Sequence, residues 1–177
     1  MKRNDLTVWA LAGLLLAIPA HAQQEEQYVA AHGAKVPATY ASAGADVTLH
    51  LDLWPDQAFH LVRTTGGGAT EAFAGRWHAD GRNLVMPLGD ETLALEVRNA
   101  DRLRPEGAPE DASGDLVVRD PFAPISISLP AAGMFTYYAD APIFEHCATG
   151  RVYPVAQEGG YLALERDYLE DRPGPAE

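Results

Sequence analysis

Apolar and polar residues alternate along most of the first two thirds of the chain. Leu51 and Leu53 alternate with the polar residues His50 and Asp52. Phe59 and Leu61 continue the alternation after the turn-forming segment 54–57, Trp-Pro-Asp-Gln. A two-residue period is typical of strands with one buried face. The pattern predicts a hairpin whose four apolar residues share the buried side.

The same period continues through several short segments that turn residues separate. The segment 73–77 leads to Asp80-Gly81, a dipeptide that favours tight hairpin turns, and 84–86 is the returning strand. Further strands are predicted at 93–97, around Leu103 and at 116–118. Six to eight short strands without a helix before about residue 130 predict an antiparallel meander that closes as a barrel or folds as a sandwich. Of the two we expect a small barrel, because closure removes exposed strand edges.

The character of the chain changes after the proline-rich segment 121–130, which predicts a linker. Strand candidates follow at 134–138 and 152–155. Apolar residues then occur at helical spacing, which predicts a short amphipathic helix from the side chains Tyr161, Leu164, Tyr168 and Leu169. The expected fold is therefore mainly β: a small antiparallel barrel over 36–120, followed by a short α+β annex over 131–171.

The first 22 residues have the pattern of a cleaved export signal. Lys2 and Arg3 precede an apolar run over 6–18, and Ala-His-Ala at 20–22 is a cleavage site. A loose polar leader over 23–35 and a tail over 172–177 complete the predicted organisation. No stretch is long enough to span a bilayer, and the residue after the cleavage point is not the cysteine that a lipoprotein needs there. We expect an exported, soluble, periplasmic protein without a stable membrane anchor.

Charge and cysteine content exclude several partners. The formal net charge is −12, which argues against DNA, RNA or anionic lipid as partner, since these need clustered Lys and Arg. The single cysteine, Cys147, cannot form an internal disulfide. It is buried and inert, free and reactive, or paired with another chain.

Three segments, in this order along the chain, resemble the NlpE-type copper-resistance and envelope-stress lipoproteins. The first is 37–40 (Pro-Ala-Thr-Tyr) followed by 51–61 (Leu-Asp-Leu-Trp-Pro-Asp-Gln-Ala-Phe-His-Leu). The second is 75–81 (Gly-Arg-Trp-His-Ala-Asp-Gly) followed by Leu84, and the third is 134–165, which begins Met-Phe-Thr-Tyr-Tyr. The resemblance implies a lipocalin-like barrel in the envelope, with roles in sensing copper or surface stress.

This sequence departs from the family at three points. Where the family carries a C-x-x-C pair, residues 41–46 read Ala-Ser-Ala-Gly-Ala-Asp, without a thiolate ligand for a soft metal. The lipid-anchoring cysteine is also missing. The family's C-terminal module continues past the point where this chain stops, which leaves the completeness of the annex open.

The strongest metal candidates are His50, Asp52 and His60. If Leu53 lies opposite Phe59 across the hairpin, Asp52 lies opposite His60, and His50 follows on the same face. Imidazole and carboxylate together suit copper or zinc. The alternative is an exposed polar face with an ordinary Asp–His cross-strand pair.

Two other residues have an open role. Cys147, next to Glu145 and His146, could bind metal or act as a nucleophile, but a cysteine protease needs a separate histidine in a defined fold. A buried structural cysteine is the expected state. Trp77 is expected to pack in the core, with lining of a ligand pocket as the alternative.

No nucleotide loop, serine elbow, H-E-x-x-H or paired catalytic carboxylates occur in the sequence. We therefore expect a non-enzymatic periplasmic binding or envelope stress-response protein without a cofactor. Its partner would be an envelope protein or a small ligand. The alternatives are a copper- or zinc-binding protein, a lipocalin-like carrier of a small apolar ligand and, more weakly, a protease inhibitor.

Overall fold

The structure is a computed structural model, and it describes residues 28–29, 32–42, 47–111, 113–138 and 141–171. The predicted export signal, most of the predicted leader and the tail lie outside the described residues. Within the described part, no helix has the length and apolar character needed to cross a bilayer.

Short paired strands begin the described chain. β1 (Tyr28–Val29) pairs antiparallel with β2 (Lys35–Val36). The end of the predicted loose leader is therefore ordered: Ala34 is fully buried in the core, and the backbone N–H of Lys35 donates to the Tyr40 hydroxyl at 2.9 Å.

Nine antiparallel strands form the main sheet. They are β3 (Ala38–Ala41), β4 (Val47–Leu53), β5 (Ala58–Thr65), β6 (Thr70–Arg76), β7 (His78–Asp80), β8 (Asn83–Leu88), β9 (Glu91–Asn99), β10 (Arg102–Pro105) and β11 (Leu116–Arg119). Their order in the sheet is β6-β5-β4-β3-β11-β10-β9-β8-β7. The strands at the two edges, β6 and β7, are consecutive in the chain, so the sheet curls into a nearly closed barrel. The predicted mainly β barrel is confirmed.

The pairing of the second predicted hairpin differs from the prediction. Residues 70–76 pair with β5, whereas the three-residue strand β7 pairs with β8. Trp77 separates them, and its backbone N–H donates to the carbonyl of Gln57 at 2.8 Å. The Asp80-Gly81 turn itself is confirmed, with Asp80 opposite Asn83 and Gly81 at a φ of 58°.

Apolar side chains fill the interior of the barrel. Leu51 lies opposite Leu61 and Leu53 opposite Phe59, and all four are fully buried, as the alternation predicts. Trp77 is 5% exposed and belongs to the same core, which confirms its packing role. The interior holds side chains from strands all around the sheet, including Val36, Tyr40, Leu84, Met86, Leu95, Val97, Leu103 and Leu116.

After β11 the chain runs without regular structure until β12, as the linker prediction requires. The annex (residues 131–171) then forms a three-stranded antiparallel sheet, β12 (Gly133–Tyr138), β13 (Ala141–His146) and β14 (Val152–Pro154), followed by α1 (Tyr161–Asp171). The Phe135 and Tyr168 rings pack edge to face at 5.3 Å and join the sheet to the helix.

The annex is less well buried than the amphipathic pattern predicts. Of the helix residues assigned to the buried side, Tyr161 is buried, but Leu164 and Leu169 are 41% and 51% exposed. Most of the large exposed hydrophobic side chains in the described chain also belong to the annex; the others there are Met134, Ile143, Val152 and Leu162.

Candidate functional site

A row of side chains on the outer face of the barrel forms one side of the candidate site. Thr39, Asp52, His60 and Ala74 lie opposite one another on the neighbouring strands β3, β4, β5 and β6. The predicted juxtaposition of Asp52 and His60 is therefore confirmed. This row lies on the opposite face from Leu51 and its neighbours in the core, because successive side chains alternate across a sheet.

Asp52 is fully buried on this outer face because the linker covers it. One carboxylate oxygen accepts a hydrogen bond from the Thr39 hydroxyl at 2.6 Å, and the other accepts one from the backbone N–H of Ile125 at 2.7 Å. The sequence left an exposed polar face as the alternative to a metal site. For Asp52 that alternative is wrong, because the side chain is buried. The carboxylate attaches the linker to the barrel wall.

The ring of His60 is enclosed as well. It packs edge to face on Trp54 with the ring centroids 4.7 Å apart, and its Nδ1 is buried without a hydrogen-bond partner in the described chain. Burial lowers the pKa of His60; the charges of Arg151 and His146 lower it further, against the opposing effect of Asp52. His60 is a neutral, partly desolvated imidazole at neutral pH.

His50 lies one pair further along the same face, opposite Val62. Its Nε2 is buried without a partner among the described residues. Across that part of the chain, no three His, Cys, Asp or Glu side chains are grouped so that they could hold a metal ion. Both oxygens of Asp52 already accept hydrogen bonds, so the unpartnered nitrogen of His50 is the one feature here that favours a metal, and the metal hypothesis stays a prediction.

A cavity of about 430 Å³ lies between the outer face of the barrel, the linker and the annex. Its wall is mostly apolar, and its polar side-chain groups are the imidazoles of His60 and His146 and the hydroxyl of Tyr153. The lining residues are His60 and Ala74 from the barrel, Ile127, Leu129 and Ala131 from the linker region, and Phe144, His146, Tyr153, Pro154, Val155 and Leu164 from the annex. Such volume and composition are typical of small-molecule sites.

Polar contacts join the annex to the barrel beside this cavity. Arg151 forms an ion pair with Asp56 at 2.8 Å, and its guanidinium lies 4.3 Å from the centroid of Trp54. Arg76 donates to the carbonyl of Thr149 at 3.1 Å and to that of Asp56 at 2.9 Å. We call these five residues the seam. Sequence reasoning missed it, because no local pattern links a turn residue to an arginine in another part of the fold.

Cys147 is exposed, so the expectation of a buried structural cysteine is wrong. It follows β13 directly, where successive side chains point to opposite sides, and the neighbouring His146 is the one that turns inward. The His146 ring is held by a 3.0 Å hydrogen bond between Nδ1 and the Thr149 hydroxyl. The free and intermolecular alternatives for the thiol stay open.

Comparison with known proteins identifies the C-terminal part. Residues 125–177 match the family model described as the NlpE C-terminal OB domain. This C-terminal part of the chain is therefore similar to that domain. The resemblance to NlpE-type proteins inferred from the sequence is thereby confirmed.

The matched segment includes linker residues that line the cavity and all of the annex. Among solved structures, the crystal structure of the Cpx pathway activator NlpE from Escherichia coli is similar at 23% identity, with a TM-score of 0.32, over 78% of this chain and 77% of that chain. A comparison with curated proteins gave no match.

Proposed function

We propose that this chain is an NlpE-type envelope-stress protein that acts by binding an envelope partner and not by catalysis. The observation that supports this proposal most directly is the match of residues 125–177 to the NlpE C-terminal domain. The similar Escherichia coli protein is a Cpx pathway activator, which suggests the response to measure.

A reporter assay tests the proposal in cells. The full chain, produced in Escherichia coli that carries a Cpx-responsive reporter, is expected to raise the reporter signal several-fold. Leu14→Arg places a charge in the apolar run of the predicted export signal and should abolish the rise, because an unexported chain cannot reach an envelope partner.

A destabilised variant controls for a response to misfolded protein. Leu84 is fully buried in the barrel, so Leu84→Ala costs about 2–5 kcal/mol of folding free energy. When the native chain and Leu84→Ala are present at equal levels, a reporter signal that requires the folded chain should rise less for the variant. An equal or larger rise with Leu84→Ala, or no rise with the native chain, would contradict the proposed function.

Metal binding is the second candidate, and the buried, unpartnered Nε2 of His50 is the observation that favours it. Calorimetric titration with Cu(II), Zn(II) and Cu(I) tests it, with His60→Ala and Cys147→Ser as variants. Micromolar binding that His60→Ala removes would support a site at His50, Asp52 and His60. No heat of binding with any of the three ions would remove this candidate.

A further inference from the structure

We propose that the cavity between the barrel and the annex binds one free fatty acid, with its alkyl chain along the carbon wall and its carboxylate at the end formed by His60 and His146. This inference does not depend on the proposed stress function. It also differs from the barrel-mouth carrier expected of a lipocalin-like protein, because the barrel interior is filled with side chains and the cavity lies outside it.

The wall of the cavity favours an alkyl chain over a peptide. Ile127, Leu129, Phe144 and Leu164 contribute carbon atoms and come from separate segments of the linker and annex. A peptide would bring backbone N–H and C=O groups that such a wall cannot pair, and each unpaired group would cost binding energy. An alkyl chain has no polar group to satisfy, and burial of its methylenes is favourable.

The two histidines mark the polar end of the cavity. They lie near each other, since the charge of His146 lowers the pKa of His60. Arg76 lies beside His146, because it donates to the carbonyl of Thr149, whose hydroxyl is hydrogen-bonded to Nδ1 of His146. Arg151 is already paired with Asp56. Arg76, in contrast, donates only to neutral oxygens within the described residues: two backbone carbonyls and, at 3.4 Å, the side-chain amide of Gln57.

This arrangement leaves one guanidinium charge without a carboxylate beside the histidine end. The two neighbouring carboxylates are both engaged: that of Asp56 pairs with Arg151, and both oxygens of Asp52 accept hydrogen bonds. A ligand carboxylate is therefore the complementary group, since it accepts charge-assisted hydrogen bonds from imidazole and guanidinium donors.

Fluorescence titration with a dansyl-labelled undecanoic acid tests the inference on the full chain. We expect saturable binding of one probe per chain and displacement by unlabelled fatty acids. Over a series from octanoic to hexadecanoic acid, the affinity should rise about threefold for each added methylene until the cavity is full. The methyl ester of the best acid should bind about fivefold more weakly, because it cannot make charge-assisted hydrogen bonds. Equal affinity of acid and ester would overturn the placement of the carboxylate.

Two helix variants form a matched pair. Leu164 lines the cavity, whereas Leu162, on the same helix, is 75% exposed and does not. Leu164→Glu should weaken binding at least about tenfold, because a charge enters the carbon wall, and Leu162→Glu should leave it unchanged. Equal affinities for these two variants, or no saturable binding by the native chain, would overturn the inference.

An experiment with lipid vesicles distinguishes binding of a free fatty acid from binding of the acyl chains of a membrane lipid. Phosphatidylethanolamine–phosphatidylglycerol vesicles should neither displace the probe nor carry the protein upward in a flotation gradient. Displacement together with flotation would show that the cavity takes membrane lipid, which overturns the assignment to a free fatty acid.

Discussion

Arg151 of the annex and Asp56 of the barrel form a two-point ion pair, with Nε 2.8 Å from Oδ2 and Nη2 3.2 Å from Oδ1. The same guanidinium covers the Trp54 ring, which in turn packs on His60. The turn between β4 and β5 is thus bound directly to the turn between β13 and β14.

Removal of the Arg151 guanidinium should loosen the annex and leave the barrel folded. The Asp56 side chain is 49% exposed, so the ion pair contributes at most about 1 kcal/mol, and the contact with Trp54 adds about 0.5–1 kcal/mol. We expect Arg151→Ala to speed proteolysis in the linker several-fold. Arg98→Ala is the control, because Arg98 pairs only with Glu96 on its own strand in the described structure. Equal cleavage rates for both variants would show that the seam does not hold the annex.

The seam should weaken in acid. Partial burial raises the pKa of Asp56, but the hydrogen bond and charge of Arg151 and the Ala58 N–H outweigh it, so the pKa lies below its usual value. A lowered pKa in the folded state stabilises the seam above the usual carboxyl pKa, and that stabilisation is lost as the pH falls through the lowered value. Linker proteolysis by an acid-active protease should therefore increase below about pH 4. Asp56→Asn should flatten this pH dependence; an unchanged profile would contradict the assignment.

Local pattern was sufficient for the hairpin of β4 and β5. Leu51 and Leu61 meet because a turn at 54–57 joins two alternating segments, and both facts are visible in the sequence. The pairing predicted for the segment 73–77 was wrong, because in the sequence this segment looks like one strand that leads directly to the Asp-Gly turn. Residues 70–76 instead form a hairpin with β5, which precedes them in the chain, and the break at Trp77 separates them from the short strand β7.

The candidate site was predictable only in part. Alternation placed Asp52 opposite His60, but nothing in the local sequence shows that the linker returns to the barrel and that Ile125 pairs with this carboxylate. The burial of Asp52 and the cavity beside it depend on tertiary contacts between segments that are distant in sequence.

Loss of the Asp52 carboxylate should destabilise the whole molecule. Asp52→Ala leaves the Ile125 N–H without its acceptor and the Thr39 hydroxyl with only its longer contact to the Ala123 carbonyl at 3.3 Å, at a cost of about 1–3 kcal/mol. Asp52→Asn keeps one acceptor oxygen and should cost less. Urea unfolding measures both changes. If Asp52→Ala were as stable as the native chain, the linker would not depend on this carboxylate.

Gly75 should not tolerate a side chain. It lies opposite Phe59, and a Cβ there would be 2.9 Å from Cε1 and 3.2 Å from Cζ of that buried ring. The ring is enclosed by the core and cannot move away freely, so Gly75→Ala should cost about 1–3 kcal/mol in urea unfolding. Gly67→Ala is the matched control, because no atom lies within 4 Å of its added Cβ. Similar stability of the two variants would mean that the Phe59 ring adjusts.

The exposed thiol of Cys147 should react without unfolding. Its side chain is open to solvent, and the backbone contact that holds this position is the hydrogen bond from its N–H to the carbonyl of Ala132 at 2.9 Å. Reaction with a maleimide should therefore be nearly as fast in the native chain as in urea, and Cys147→Ser should change the unfolding free energy by less than about 0.5 kcal/mol. Strong protection of the native thiol would contradict its exposure. A covalent dimer that appears only without reductant, and is lost in Cys147→Ser, would assign the thiol to pairing between chains.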